Sequence, residues 1–368
     1  MVWYHYSIFD WMKGELILNN METNYMNLKD TLTRLLNSND TVFIISHDRP
    51  DFDALGASIG MAFICEKMKK KPYIIINEEF RNMDKSTSTV VADMKNRFNV
   101  IRTEEVERLK GKDNLLIVLD TNKEYMINVN SKDFDDVIVI DHHDTDEKTI
   151  KNAYKFIDTN ISSACEIVEG LVNRFHAKYD PKDFASYLLA GIKLDTKNYD
   201  KNATSKTHGA ASRLIEAGAN QTYVNELFAE DFTEDRKIQR LIESTKIHSF
   251  NIGIICQNTN LDVFYTREDL AKAADYLLKY NINASFVIGK IDENNYYISA
   301  RSKGLINVGN IMSMFGTGGG NIYSAAAKIP SNISLEEIEA TLMNYLTPGY
   351  VNEDKNIKVR KLELWVVK

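Results

Sequence analysis

Four stretches of this sequence place histidines and carboxylates where they could hold divalent cations. They are His47-Asp-Arg-Pro-Asp51-Phe-Asp53, Asp120, Asp141-His142-His143 and Asp195. Burying several carboxylates together without cations is very costly. Two divalent ions remove that cost: a carboxylate bridging them holds them roughly 3.5–4 Å apart, and the water between them is acidified. Mixed histidine and carboxylate ligands suit manganese, with iron, cobalt and zinc as alternatives. Two histidines and four aspartates can fill two such sites and leave positions open. Each piece also has an ordinary reading: His47 as a strand-end histidine, Asp51 and Asp53 as turn formers after Pro50, Asp120 and Asp141 as helix N-caps, Asp195 as a loop residue. The conjunction favours the metal reading. His5, His176, His208 and His248 fall outside the pattern and read as structural or surface residues.

Three of the four stretches follow continuous apolar runs, Thr41–Ser46, Leu115–Leu119 and Val137–Ile140. Such runs suit strands buried on both faces of a parallel sheet. In open α/β sheets, ligands sit beyond the carboxyl ends of such strands. Pro72–Ile76 reads as another strand, and Asn27–Asn37, Gly56–Lys69, Ser162–Phe175 and Asp183–Ile192 read as helices. The alternation predicts an α/β fold with a mainly parallel sheet flanked by helices. Thr233–Ser249 reads as a charged helix connecting to a second unit. There, strands are expected at Ile252–Cys256, Ala284–Ile291, Tyr296–Arg301 and Ile357–Val367, and helices at Arg267–Tyr280 and Ser334–Leu346. A capping-box pair, Ser334 with Glu337, opens the last helix. Glycine-rich Gly316–Gly320 precedes what reads as an alanine-rich helix start. The expected division is an N-terminal segment and helix over 1–40, a catalytic domain over 41–230, a connector helix over 231–250 and a smaller α/β domain over 251–368.

At 368 residues the chain exceeds what one core usually serves, which agrees with two domains. A net charge of −7 makes it a poor candidate for gripping long nucleic acid by charge alone. Bound cations would reverse that sign locally. Cys65, Cys165 and Cys256 are far apart and form no CxxC pair, which argues against a disulfide framework or zinc knuckle. A reducing cytoplasm fits best. No segment reaches the roughly 18–20 uninterrupted apolar residues that span a bilayer. Met1–Leu18 is aromatic but interrupted by His5, Asp10, Lys13 and Glu15; it lacks a signal-peptide layout and reads as a docking segment.

His47-x-x-Pro50-Asp51-x-Asp53-Ala54-x-Gly56, Asp120, Asp141-His142-His143 and Gly191-x-x-x-Asp195-Thr196 together resemble the DHH phosphoesterases. The second unit resembles the DHHA1 domain that usually follows, through Ser299-Ala300-Arg301-Ser302, Asn307-Val308 and Gly318-Gly319-Gly320 before Ala325-Ala326-Ala327. The likeness covers about Thr41 to Leu346. His47–Gly60, Ser162–Val168, Leu189–Tyr199 and Ile298–Val308 look closest to the catalytic module of the GdpP-type cyclic-di-AMP phosphodiesterases. Those proteins usually carry membrane helices and further domains upstream, so the chain reads as a stand-alone or truncated version.

The resemblance implies two Mn2+ ions per active site. His47, Asp51 and Asp120 would hold one, and Asp53, Asp120, His142 and Asp195 the other, with Asp120 bridging. Asp141 would orient His142, and His143 would contact the scissile phosphate or assist the leaving group. Arg301, Ser302 and the Gly318, Gly319 and Gly320 main chain would receive the rest of the nucleotide, with Asn321 where the family normally has histidine. The second domain would have a mixed sheet. The expected activity is hydrolysis of cyclic di-AMP to pApA, with a second cut giving AMP. The alternatives are a nanoRNase or 3′-phosphoadenosine 5′-phosphate phosphatase and, from another class, a nucleotide-binding sensor without catalysis. The expected partner is a small nucleotide (cyclic di-AMP, pApA or short RNA), with no long nucleic acid and no membrane span; a homodimer is allowed.

Overall fold

In the computed structural model, which describes residues 24–77, 83–229, 232–256 and 264–346, the chain divides after Ala229 into two units. Each has its own six-stranded sheet. The stretches Met1–Leu18 and Ile357–Val367, read above as a docking segment and a closing strand, lie outside the described residues.

The first unit runs α1 (residues 24–38), β1 (Thr41–Ile45), α2 (Phe52–Lys67), β2 (Pro72–Ile75), α3 (Lys85–Arg97), β3 (Asn99–Ile101) and a short α4 (Val106–Leu109). It continues through β4 (Asn114–Leu119), β5 (Asp136–Asp141), β6 (Tyr154–Ile157), α5 (Ala164–Phe175), α6 (Ala185–Asp195), α7 (Ser205–Ala217) and α8 (Gln221–Leu227). The sheet order is β3-β2-β1-β4-β5-β6, and every pairing is parallel.

Successive side chains of a strand point to opposite faces. Val42, Ile44, Leu115, Ile117, Ile138 and Ile140 therefore enter one core, with α2, α5 and α6. Phe43, Ile45, Leu116, Val118, Val137 and Val139 enter another, on the opposite face. Both faces are covered, which is why these strands read as unbroken apolar runs. Helix α2 is buried from Phe52 through Cys65. Its Gly56 lies against α6, where an added Cβ would stand 2.6 Å from the Tyr187 carbonyl oxygen. The strand order reverses between β1 and β4, so a crevice opens at their carboxyl ends.

The second unit contains α9 (Phe232–Glu243), β7 (Lys246–His248), β8 (Ile252–Cys256), α10 (Arg267–Leu277), β9 (Ala284–Asp292) and β10 (Asn295–Ser302). After these come α11 (Val308–Ser313), β11 (Gly319–Gly320), β12 (Ser324–Pro330) and α12 (Leu335–Leu346). Its sheet, β11-β12-β10-β9-β8-β7, is mixed: β8 and β9 pair parallel, the other neighbours antiparallel. The helix expected over Thr233–Ser249 ends at Glu243, and its Ile238 and Leu241 bury with Leu270, Ala273 and Leu277 of α10.

One expectation is overturned. Ala325-Ala326-Ala327 does not start a helix but lies in β12, paired to β10 and β11. Burial alternates there, with Ala325, Ala327 and Ile329 inward, and this cross-strand packing outweighs alanine's helix preference. Gly320, at φ +148°, turns the chain into that strand where other residues would be strained. At α12, the capping box forms in both directions, each bond 3.2 Å: the Glu337 N–H donates to Ser334 Oγ, and the Ser334 N–H to Glu337 Oε2. No helix among the described residues is long and apolar enough to cross a membrane.

Candidate metal centre

The crevice beyond β1, β4 and β5 gathers all four stretches singled out in the sequence. His47 and Asp51 leave the end of β1, and Asp53 sits in the first turn of α2. Asp120 follows β4 directly in a left-handed conformation, φ +58°, uncommon for a residue with a Cβ and frequent at functional sites. Asp141 is the last residue of β5, and Asp195 the last of α6. Asp51 does cap α2: its Oδ1 accepts from the N–H groups of Asp53 and Ala54 at 2.9 and 3.1 Å. The ordinary role of Asp51, read above as turn forming, is thus a helix cap made by Oδ1, which leaves Oδ2 outside the cap.

His47 Nε2 lies 3.4 Å from Asp120 Oδ2 and 3.9 Å from Asp51 Oδ1. His142 Nε2 lies 3.0 Å from Asp195 Oδ2, 3.3 Å from Asp120 Oδ1 and 3.7 Å from Asp53 Oδ2. Donor atoms of His47, Asp51 and Asp120 fall within 4.8 Å of one another, as do those of Asp53, Asp120, His142 and Asp195. Asp120 belongs to both groups. Despite these short approaches, the buried atoms Asp120 Oδ1 and His142 Nε2 make no well-directed hydrogen bond. Such orphans are rare in folded proteins, and here they are of types that bind cations. The donor set therefore fits metal: oxygen and imidazole ligands in two sets that share one carboxylate.

The electrostatics agree. Burial, joined by the charges of Asp120 and Asp195, pushes the fully buried Asp53 well above the usual carboxylate range. Burial also raises Asp195, against the pull of His142. Desolvation alone would lower the pKa of His47, but its contacts with Asp120 and Asp51 outweigh it and raise the value to about 11. His142 behaves alike, raised to about 11 against burial by Asp120 and Asp195. The site thus concentrates negative charge that cations would neutralise.

Two features were not legible in the sequence. Asp53 is held by the start of α5, where the Ala164 N–H donates to Oδ2 at 2.7 Å and the Cys165 N–H to Oδ1 at 2.8 Å. The only sequence signal for this was Ser163, which caps α5. The second feature is Asn122, fully buried, whose Nδ2 donates to Asp141 Oδ2 at 2.6 Å. Asp141, read above as orienting His142, contacts the main chain of that residue and the ring of the next. Its Oδ1 accepts from the His142 main-chain N–H at 2.8 Å, and the ring it holds is that of His143, Nδ1 at 2.9 Å. The chain leaves β5 here, which turns the 142 peptide back onto the preceding side chain. Burial works to raise the Asp141 pKa, but the bond from His143 and the His142 N–H hold it below the ordinary range. The bond to Asp141 in turn raises His143.

Residues 41–192 match the DHH family, N-terminal domain, and residues 254–347 match the DHHA1 domain. The chain belongs to the DHH family. Relatives of this DHH protein include the cyclic-di-AMP phosphodiesterase GdpP of Bacillus subtilis (strain 168), 31% identical over 84% of this chain and 48% of that one. The bifunctional oligoribonuclease and PAP phosphatase NrnA of Mycoplasma genitalium (strain ATCC 33530) is 26% identical over 81% of this chain and 92% of that one. The chain spans about half the length or less of several curated relatives it matches. A crystal structure of an exopolyphosphatase-related protein from Bacteroides fragilis shares the fold, with a TM-score of 0.64 and 20% identity over 86% of this chain and 96% of that one.

In the DHHA1 unit of this DHH protein, the expected nucleotide contacts divide. Arg301, on β10, donates from Nε to Asp275 Oδ2 at 3.2 Å, and from Nη1 to Ser299 Oγ and the Ala300 carbonyl. Ser302 is buried, and its Oγ accepts from the N–H groups of Gly304 and Ile306, at 3.0 and 3.4 Å, closing the following loop. Gly319 and Gly320 pair with Ala326 and Ala325, and Gly318 packs on the Met312 carbonyl oxygen. Asn321 Oδ1 accepts from the N–H groups of Tyr323 and Ser324, at 2.8 and 2.9 Å, so its acceptor end builds the β11–β12 turn. Of the remaining histidines, His176 ends α5 in a left-handed conformation and His208 stacks on Tyr199. His248 lies in β7, and His5 is outside the described residues.

Proposed function

We propose that this chain is a manganese-dependent phosphodiesterase that opens cyclic di-AMP to pApA. The observation that carries the hydrolytic reading is the pair of orphaned buried atoms, Asp120 Oδ1 and His142 Nε2, amid converging carboxylates. The cyclic-dinucleotide substrate is supported by the likeness to the B. subtilis GdpP.

His47, Asp51 and Asp120 would hold one ion, and Asp53, Asp120, His142 and Asp195 the other, two ions in all. When bound, the ions supply Lewis-acid neutralisation of phosphoryl charge and lower the pKa of coordinated water. The protein fixes these ligands on strand ends and helix termini, so little reorganisation is needed at the moment of reaction. Asp141 keeps the proton on His143 Nδ1, leaving Nε2 of this half-exposed ring for the phosphate or the leaving oxygen. Arg301 is the candidate cation for the distal phosphate or base, with Gly318, Gly319 and Gly320 allowing close main-chain approach. Ser302 and Asn321 would act through the loop and turn they build rather than by touching ligand.

A second reading is supported by one comparison: the chain is also 26% identical, over 81% of its length, to the bifunctional oligoribonuclease and PAP phosphatase NrnA. It assigns short oligoribonucleotides or 3′-phosphoadenosine 5′-phosphate as substrate. Product analysis after incubation with cyclic di-AMP, pApA and 3′-phosphoadenosine 5′-phosphate, each with Mn2+ and with chelator, separates the two. Conversion of cyclic di-AMP to pApA in Mn2+ alone is the expected result. Turnover of pApA and the bisphosphate without any attack on cyclic di-AMP selects the second reading, and no Mn2+-dependent turnover rejects both.

A further inference from the structure

We infer that Asn122 is a positioning residue for this site: it locks the Asp141 carboxylate and, through it, aims the His143 imidazole. The catalytic consequence rests on the hydrolytic reading above; the hydrogen-bonded chain does not.

Asn122 lies two residues beyond Asp120 and is fully buried. Its Nδ2 stands 2.6 Å from Asp141 Oδ2, 3.2 Å from the His143 carbonyl oxygen and 3.3 Å from that of Asp144. All three can only accept, so the end of the amide that faces them is the NH2. At its other end, Oδ1 accepts from the Thr149 hydroxyl at 3.2 Å, and its main-chain carbonyl accepts from the Ile150 N–H at 2.9 Å. One side chain thus ties the end of β4 to the end of β5 and to the loop before β6.

Asp141 is equally buried, and its three donors fix both oxygens: the His142 N–H and His143 Nδ1 on Oδ1, Asn122 on Oδ2. Without Asn122, Oδ2 would be a buried acceptor with no partner, and the carboxylate would be free to swing about its terminal torsion. His143 hangs from that carboxylate with 56% of its side chain exposed, and the next residues are tethered by the same amide. An unlocked carboxylate would leave the ring without a fixed direction. Orienting groups of this kind behind a reactive histidine typically matter by roughly 10–100-fold.

The discriminating variant is Asn122→Asp, which keeps the shape but sets a second carboxylate against Asp141. In metal-free protein with 15N-labelled histidine, the wild-type His143 shows a proton fixed on Nδ1; in Asn122→Asp that signature changes to an averaged one. With Mn2+ and the nucleotide substrate, kcat falls roughly 10–100-fold, while KM and Mn2+ affinity stay within about two-fold of wild type. Added to His143→Ala, Asn122→Asp costs nothing further, because a residue acting through another is non-additive with it. If Asn122→Asp fails to fold, Thr149→Val, which removes the hydroxyl that donates to Asn122 Oδ1 and accepts from the Asp146 N–H and Lys123 Nζ, gives a smaller loss also erased by His143→Ala. An unchanged His143 signature, or an equal further loss in the His143→Ala background, overturns the inference. A wild-type protein without hydrolysis removes the catalytic consequence alone, and the NMR result then decides the chain of bonds.

Discussion

Gly191 on α6 lies against Asp53 on α2 so closely that a Cβ on the glycine would stand 2.8 Å from the Asp53 Cα and 2.9 Å from its Oδ1. The same atom would come within 2.5 Å of Cys165 Sγ. Asp53 is thereby wedged between the missing side chain of one helix and the first N–H groups of another, α5. Donors at a helix start favour the charged carboxylate, which offsets part of its burial.

This wedge makes Gly191→Ala a test of how tightly Asp53 must be held. The added methyl meets main chain and sulfur, which cannot swing aside, so α6 or α2 must shift. Overpacking of this kind costs about 1–3 kcal/mol. Urea unfolding of the metal-free variant should show that loss, and calorimetry a Mn2+ affinity weaker by roughly 10–100-fold. Wild-type Mn2+ affinity in a destabilised Gly191→Ala protein would show that Asp53 is not a ligand.

Asp120→Ala removes the one carboxylate common to both donor sets. Activity should be abolished while the protein stays folded, because Asp120 lies beyond the strand it follows and the core is untouched. A ligand that binds only the native state at 100 times its Kd adds about 2.7 kcal/mol. Wild-type thermal stability should rise with Mn2+ accordingly, and the variant's should hardly move. Full activity of Asp120→Ala in saturating Mn2+ would refute the assignment.

How far the sequence foretold this site depends on the kind of group involved. His47, Asp120 and His142 were legible because imidazoles and carboxylates after apolar runs are unusual unless they bind something. The amides that hold Asp53 were not, since a main-chain N–H belongs to every residue and only the fold aims it. Asn122 was invisible for a similar reason: one asparagine after a strand looks like any turn residue. The buried strands β1, β4 and β5 announced themselves by continuous apolarity. By contrast β6, Tyr-Lys-Phe-Ile at the sheet edge with its first two residues exposed, and α3, whose buried face is only Thr87, Val90, Val91 and Met94, carried too little pattern. Alanine misled at β12 because its small side chain states no preference strong enough to resist strand pairing.

Metal uptake should be coupled to protons. With His47 and His142 both raised to about 11 in the metal-free site, each ring is protonated throughout the neutral range. A ligating imidazole must be neutral and a ligating carboxylate ionised, so Mn2+ binding at pH 7 should release about two protons from the imidazoles together with any still held on the raised Asp53. Apparent affinity then rises with pH. Titration calorimetry in buffers of different ionisation enthalpy measures the release, and identical heats in all buffers would contradict it. Stability of the metal-free fold runs the other way: a raised histidine pKa stabilises fully below the unfolded value of about 6.5. That contribution fades as pH climbs towards about 11.

The second unit offers a test that leaves the metal untouched. Arg301 is half-buried on β10, its Nε spent on Asp275 and its Nη1 on Ser299 and Ala300. Those bonds fix the plane of the guanidinium and leave the Nη2 hydrogens without a protein partner among the described residues. A planar group held along one edge is well suited to receive a phosphate or a base edge at the other. If Arg301 receives the nucleotide, Arg301→Lys should raise KM roughly 10-fold or more, because a charge-assisted hydrogen bond contributes about 1.5–3 kcal/mol and lysine cannot reproduce the fork. Mn2+ affinity and the thermal shift on adding Mn2+ should match wild type. A KM unchanged in both Arg301→Lys and Arg301→Ala would assign this arginine to the sheet, as the partner of Asp275, and would move the search for the nucleotide's distal contacts to the Gly318–Gly320 main chain.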